Sequence, residues 1–318
     1  MDVETRIALA ISPTGMYARG FHPSVVTGCF GSVITAGMLV GLNHEQFVNG
    51  FGLAGNQAST LLAWESDRSE MSRPFGIGVA ARNGVTSALL AKAGFGGPEV
   101  LEGKYTVFNA FSGETHYNEL LKDLGKRFEI MNLTIKRYSS CSFTHPGLDA
   151  LLKILDENNI DPKEIQEITV RFPKSGAKLV DNSELKSHNI QYVLSVGAFN
   201  KQVIIDDILF DKIDPRIRNL SSRVRLIYDE ELNRSFPEMM PTIVEVKTKN
   251  GKVFKGRVNS AKGTPENPMT SDEIRDKFMR IATITVDERL AKDVVDLVNR
   301  LEKVSDINEL TELLKFKQ

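Results

Sequence analysis

The 318-residue chain has only two cysteines, Cys29 and Cys141, and neither sits in a CxxC or His-rich spacing. That excludes a disulfide-stapled secreted scaffold and a structural zinc site, so no metal is expected. Charge of one sign is also missing: 40 Lys and Arg face 41 Asp and Glu, a formal net charge of -1 with no basic block. Nucleic acid and polybasic membrane anchoring therefore have no electrostatic basis. No apolar run reaches the ~20 residues of a membrane span. The opening stretch MDVETRIALAISPTG lacks a basic region followed by an apolar one. The expectation is a cytoplasmic protein without a membrane partner. Nucleotide and hydrolase motifs are absent too: there is no GxxxxGK[ST] and no GxSxG, and Gly94 to Gly97 lacks a strand before it. No internal repeat or low-complexity segment interrupts the chain.

What remains is an ordinary globular balance, 41% apolar and 25% charged, in a chain long enough for two domains. Three zones separate by pattern. Residues 1–132 read as helical. A small-residue helix is predicted over 32–40, with Val33, Ala36, Gly37 and Val40 on one face. A second follows Asn43, a candidate N-cap with Gln46 three residues on. A third is predicted over 78–93, stopped by Gly94. The abundance of Gly and Ala in these helices predicts close helix–helix packing. Residues 133–267 change character. A helix over 146–158 precedes an alternating strand over 165–172, and a further helix is predicted over 188–200. Strands are predicted over 224–228, 242–248 and 252–258, the last two joined by a turn through Asn250-Gly251. Residues 268–318 return to helical spacing, with Thr270 or Ser271 as cap and a long stretch over 288–314.

Several clusters can carry chemistry, and each also has a plain structural reading. His22 precedes Pro23, which pushes it to an extended backbone at the mouth of a small-residue helix. There it can donate to a carboxylate or transfer a proton, or simply pack in the loop. Gln57 and Ser59 close an apolar helix, where they line a polar pocket or bridge two helices. Arg73 offers a bidentate carboxylate fork or a solvated charge. The segment from Ile135 to Pro146 packs Lys136, Arg137, Tyr138, hydroxyls and His145 at a zone junction, where pockets form. Its Cys141 reads as a small buried residue rather than a nucleophile. His188 and Tyr192, four apart on a predicted helix, would share one face.

The order of these strings resembles the MmgE/PrpD family. The resemblance runs through Gly20-Phe21-His22-Pro23-Ser24, Ala54-Gly55-Asn56-Gln57-Ala58-Ser59, Gly78-Val79-Ala80-Ala81-Arg82-Asn83-Gly84-Val85 and Ala91-Lys92-Ala93-Gly94-Phe95-Gly96-Gly97-Pro98. It continues through Lys136-Arg137-Tyr138, Phe143-Thr144-His145-Pro146, the segment from His188 to Tyr192, Asp214-Pro215-Arg216 and Gly263-Thr264-Pro265-Glu266-Asn267-Pro268, and so spans nearly the whole chain. The family includes 2-methylcitrate dehydratase, cis-aconitate decarboxylase and iminodisuccinate epimerase.

The resemblance implies a mostly α fold, a helical bundle domain with a smaller inserted α+β lid, residues 268–318 returning to the helical domain, and an active site between the domains. It implies a homodimer, a small polycarboxylate substrate, and neither cofactor nor metal. By motif, His22, Lys136 and Tyr192 take the catalytic positions, with Arg73, His145, Gln57, Ser59 and His188 as substrate-binding residues. The activity expected first is a hydro-lyase of the 2-methylcitrate dehydratase type, which serves propionate catabolism. Decarboxylation of cis-aconitate or epimerisation of an iminodisuccinate is the alternative.

Two features depart from the family pattern. Arg73 and Gly76 stand where the family usually has Lys and often has His; Arg73 holds a carboxylate but does not readily give up a proton. The family also carries a helical segment, with an Asp, a Thr and a His of the site, before the GxHP motif, whereas His22 lies about twenty residues from the start here. The alternatives at this point are a complete enzyme with a partner chain supplying that part, or a non-catalytic fragment or subunit.

Overall fold

A computed structural model describes residues 1–209 and 213–315. The chain divides into two compact units, Met1–Leu133 and Thr134–Gln318. It is mostly helical, with a small four-stranded sheet in the second unit.

The first unit is built on helices α1 (Asp2–Ile11), α2 (Pro23–Val40), α3 (His44–Gly55) and α4 (Ser72–Lys92). α2 starts nine residues earlier than its predicted start at 32, because Pro23 occupies the first turn, where its missing N–H costs nothing. α4 starts six residues before its predicted start at 78 for a similar reason: Pro74 falls in the first turn rather than in the interior. Asn43 caps α3 through a full capping box with Gln46, as the sequence predicts. α2 packs on α1, α3 and α4. The α2–α4 crossing is close because Gly84 has no Cβ; one built there would sit 2.4 Å from both the Cys29 carbonyl oxygen and the Ser32 Cβ. The core joins Ile7, Ile11, Met16, Phe30, Val33 and Phe108. By length and composition α2 is apolar enough to cross a membrane, and 50% of it is buried in this unit.

α1 is anchored by Arg6, 2% exposed. Its guanidinium donates to the Asp2 carboxylate at 2.8 Å and to the carbonyls of Lys122 at 2.8 Å and Arg127 at 2.7 Å. The other Asp2 oxygen accepts from the Glu129 N–H at 2.7 Å. A chain stretch with little regular structure is thereby tied to the helical core.

The second unit opens with an irregular segment that leads into α5 (His145–Glu157). The sheet runs β2 (Val224–Asp229), β1 (Ile165–Pro173), β3 (Thr242–Thr248), β4 (Val253–Val258). β1 and β2 are parallel, and the other two pairs are antiparallel. The parallel pair requires a long crossover, made by α6 (Ile190–Asn200) and α7 (Pro215–Ser221). The β3–β4 turn uses Gly251 at φ +84°, where the Asn-Gly signal predicts a hairpin. α5 packs across β3 and β4 and buries Leu148, Leu151, Ile154 and Leu155 at helical spacing.

α8 (Ser271–Ala282) and α9 (Glu288–Val298) follow the sheet within this unit. Thr270 caps α8 in a capping box with Glu273. The stretch over 288–314 is not one helix: α9 ends at Val298, and a 3-10 turn, Leu301–Lys303, and a short helix, Asn308–Leu313, follow.

Candidate functional site

In the first unit, the backbone of residues 20–22 zips to residues 60–62. The His22 N–H donates to the Thr60 carbonyl at 3.0 Å, the Leu62 N–H donates to the Gly20 carbonyl at 2.8 Å, and Phe21 pairs with Leu61. This lays the loop after α3 against the mouth of α2. His22 has the extended backbone that Pro23 imposes and stands as N-cap of α2. The residue is 7% exposed, and its ring meets the Trp64 indole edge-on, centroids 5.5 Å apart. The Arg73 guanidinium lies over the same indole, 5.1 Å from its centroid. Burial, and then the Arg73 charge, push the His22 imidazole below its ordinary value, so the ring is neutral near pH 7. Its Nδ1 is buried without a hydrogen-bond partner. An unsatisfied buried ring nitrogen beside a cation is a feature of reactive sites more than of cores.

Gln57 takes its structural alternative: its amide donates to the Leu53 carbonyl at 3.0 Å and the Ser87 hydroxyl at 3.1 Å, bridging α3 to α4. Ser59 is exposed, one residue from the carbonyl that holds His22. Gly76 is buried against Thr60 and Val25, where a Cβ would make ordinary contacts at 3.4 and 3.5 Å.

In the second unit, Lys136 and His145 come together. The exposed Lys136 ammonium donates to the Ser140 carbonyl at 3.1 Å. His145, 1% exposed, starts α5 and also has a buried ring nitrogen, Nε2, without a partner. Burial, then the Lys136 charge, push its imidazole down to about 3, so it too is neutral. The hydroxyls of Ser140 and Thr144 lie 2.9 Å apart, and Thr144 donates to the Cys141 carbonyl at 2.8 Å.

The His188 segment is tied to the same place by the Cys141 N–H, which donates to the Ser187 carbonyl at 2.8 Å. The predicted shared helix face of His188 and Tyr192 is not formed. His188 ends a 3-10 turn, Asn189 caps α6, and only Tyr192 is helical. Asn189 accepts from the Tyr192 N–H, and that local bond wins over continuation of the helix. The Tyr192 hydroxyl donates to the Asp207 carbonyl at 2.5 Å. Burial, then Asp207, push the phenol up to about 12. Tyr192 lines a cavity of about 430 Å³ with Lys186, Asn189 and Arg218.

Sequence reasoning missed Trp64 and Asp149. A lone tryptophan in a polar loop carries no periodicity. Asp149 was findable, because it lies four residues after His145 on α5 and so shares its face. Both cysteines are free and buried, and burial pushes the Cys29 thiol up to about 11, which makes it inert as a nucleophile. Among the described residues, no group of three or more His, Cys, Asp or Glu is placed to hold a metal ion.

Comparison with known proteins fits both units. Residues 1–120 match the MmgE/PrpD N-terminal domain and residues 138–303 the MmgE/PrpD C-terminal domain. His22 and Arg73 fall in the first match and His145 and Tyr192 in the second, while Lys136 lies between them. A cis-aconitate decarboxylase of Aspergillus terreus is 26% identical over 335 residues, covering 97% of this chain and 67% of the relative. The cis-aconitate decarboxylase of Homo sapiens is 24% identical over 327 residues, covering 99% and 67%. That of Mus musculus is 23% identical over 310 residues, covering 93% and 62%. The chain thus spans about two thirds of the length of these relatives. With both family domains matched in order along most of its length, the chain belongs to the MmgE/PrpD family.

Proposed function

We propose that the chain has a cofactor-independent lyase activity on a small polycarboxylate of the cis-aconitate class. The observation that carries this reading is the same pairing in both units: a cation beside a buried neutral imidazole, Arg73 with His22 and Lys136 with His145. The names of the relatives point to decarboxylation.

In such a step the bond from carbon to the leaving carboxylate breaks and carbon dioxide departs. The electron pair moves into a new double bond, and the old double bond takes up a proton at its far carbon. The cation beside each imidazole, Arg73 in the first unit and Lys136 in the second, is suited to hold a carboxylate and to stabilise charge that develops beside it. The His22 ring supplies that proton as its imidazolium, returns to the neutral form and takes up another proton from water. Tyr192 keeps its phenolic proton near neutral pH and assists as a hydrogen-bond donor once it turns from the Asp207 carbonyl.

Dehydration of a 2-methylcitrate-like substrate is the second reading. The lowered His22 value favours it, because a neutral imidazole is ready to take the proton next to a carboxylate, and the imidazolium so formed returns that proton to the departing hydroxide, which leaves as water. Homodimerisation belongs to the same proposal, and so does the alternative of a separate partner chain.

The test is a panel of cis-aconitate, 2-methylcitrate, citrate and an imino-dicarboxylate, run on the purified chain with its oligomeric state measured by light scattering. Release of carbon dioxide from cis-aconitate supports the first reading, and an unsaturated product from 2-methylcitrate supports the second. Inactivity on every substrate favours the rival of another class, a non-catalytic fragment or a subunit that needs a partner chain.

A further inference from the structure

We propose that Asp149 is a positioning residue, whose carboxylate fixes both flanks of the segment carrying Lys136 and so sets that cation beside His145; this rests on the roles given to Lys136 and His145 above. One carboxylate oxygen accepts from the Tyr138 hydroxyl at 2.7 Å. The other accepts from the Lys262 N–H at 2.7 Å. Tyr138 follows Lys136 in the chain, and Lys262 adjoins Gly263, whose carbonyl holds Ile135 just before it.

Tyr138 is two residues after Lys136 and 4% exposed, and its ring meets the His145 imidazole edge-on with centroids 5.2 Å apart. Lys262 opens the turn Gly263-Thr264-Pro265-Glu266-Asn267. That turn is closed by the Gly263 N–H donating to the Asn267 carbonyl at 2.8 Å. Its Gly263 carbonyl in turn accepts from the Ile135 N–H at 2.8 Å, one residue before Lys136. Gly263 sits at φ +101°, and a Cβ there would lie 2.0 Å from the Ile135 carbonyl oxygen. The close approach makes the turn a rigid brace on Ile135.

Asp149 and His145 share the first turns of α5, so the brace and the imidazole stand on one rigid element. The Asp149 carboxyl is only 11% exposed, and the Arg137 guanidinium, 3.7 Å away, balances its charge. A group that merely filled space here would not need two directed acceptors. Asparagine in its place presents an N–H to one of two donors, so one of the two flanks must let go.

The experiment uses the full chain with Asp149→Asn and Tyr138→Phe, singly and together. Ring resonances of His145, assigned by their loss in His145→Gln, are followed by NMR beside steady-state kinetics. Both single variants are expected to move the His145 resonances in the same direction. They are expected to lower kcat by about tenfold to hundredfold, the effect of roughly 1 Å of misplacement, with KM little changed. The double variant should be no worse than Asp149→Asn, because the two groups act as one unit. Tyr138→Phe leaves the carboxylate and the ring in place, so it carries the test if Asp149→Asn does not fold. Unmoved His145 resonances, or kinetic losses that multiply in the double variant, would overturn the role. A wild-type chain with no turnover sinks the lyase reading instead, and the resonances still decide the positioning role.

Discussion

The imidazole of His22 stands edge-on to the indole of Trp64, with ring centroids 5.5 Å apart, and Arg73 covers the face of that same indole. Trp64 is therefore a shared platform for a cation and an imidazole. A cation–π contact at a partly exposed site is worth about 1 kcal/mol, or roughly fivefold in affinity. Trp64→Leu is expected to raise KM by about that factor through loss of Arg73 alignment. Steady-state kinetics check it, and an unchanged KM would show that Arg73 is held by other means.

The Arg73 charge also contributes to the pH response. His22 lies below its ordinary value of 6.5, by burial first and by Arg73 second. Turnover that uses the neutral ring, as in the dehydration reading, therefore keeps its acid limb below pH 6.5, and turnover that uses the imidazolium, as in decarboxylation, keeps its basic limb there. Arg73→Gln removes the repelling cation, so the His22 value climbs and the acid limb moves to higher pH. A kcat/KM–pH profile of the two proteins measures the move; an acid limb that stays put or moves down contradicts the pairing.

His145 gives a stability prediction of its own. Folding lowers its value from 6.5 to about 3, so between those pH values the unfolded chain binds a proton that the folded chain does not. Stability from this group is fully present above pH 6.5 and falls as pH drops toward 3. Urea unfolding at stepped pH should show a shallower loss over this window in His145→Gln than in the wild type. Parallel curves would mean that His145 protonates freely in the folded protein.

Much of the fold is legible in the sequence where the signal is local. The capping boxes at Asn43 and Thr270 and the Asn250-Gly251 turn depend on neighbouring residues only, and they form as the spacing predicts. The strands fall within a residue of their predicted bounds because alternation is a short-range pattern. Errors arise where a Pro or Gly reads as a breaker but sits in a first turn, as at Pro23 and Pro74. His188 and Tyr192 lose their shared face to a cap bond at Asn189 that outcompetes the helix. Trp64 and the Tyr138–Asp149–Lys262 link stayed hidden because their meaning lies in contacts between distant segments.

Gly263→Ala tests the brace by backbone alone. The positive φ and the Ile135 carbonyl leave no room for a methyl group, so a cost of about 1–3 kcal/mol is expected. Urea denaturation reads it as a lower midpoint, with a drop in turnover alongside. A midpoint equal to the wild type would mean that the turn relaxes without strain.

Arg6→Met tests the anchor of the first unit. It strips the Asp2 carboxylate and two part-buried backbone carbonyls of their donor at once, for an expected loss of about 3 kcal/mol. Chemical denaturation measures it, and a change below about 1 kcal/mol would show that water replaces the guanidinium.

Turnover of the substrate panel by the wild type, His22→Ala and Lys136→Ala is the most direct test of the cation–imidazole account. The account predicts cleavage of a tricarboxylate by the wild type, with kcat lowered about 10²- to 10⁴-fold in His22→Ala and about 10²- to 10³-fold in Lys136→Ala. An active wild type with both variants near its own rate would contradict it.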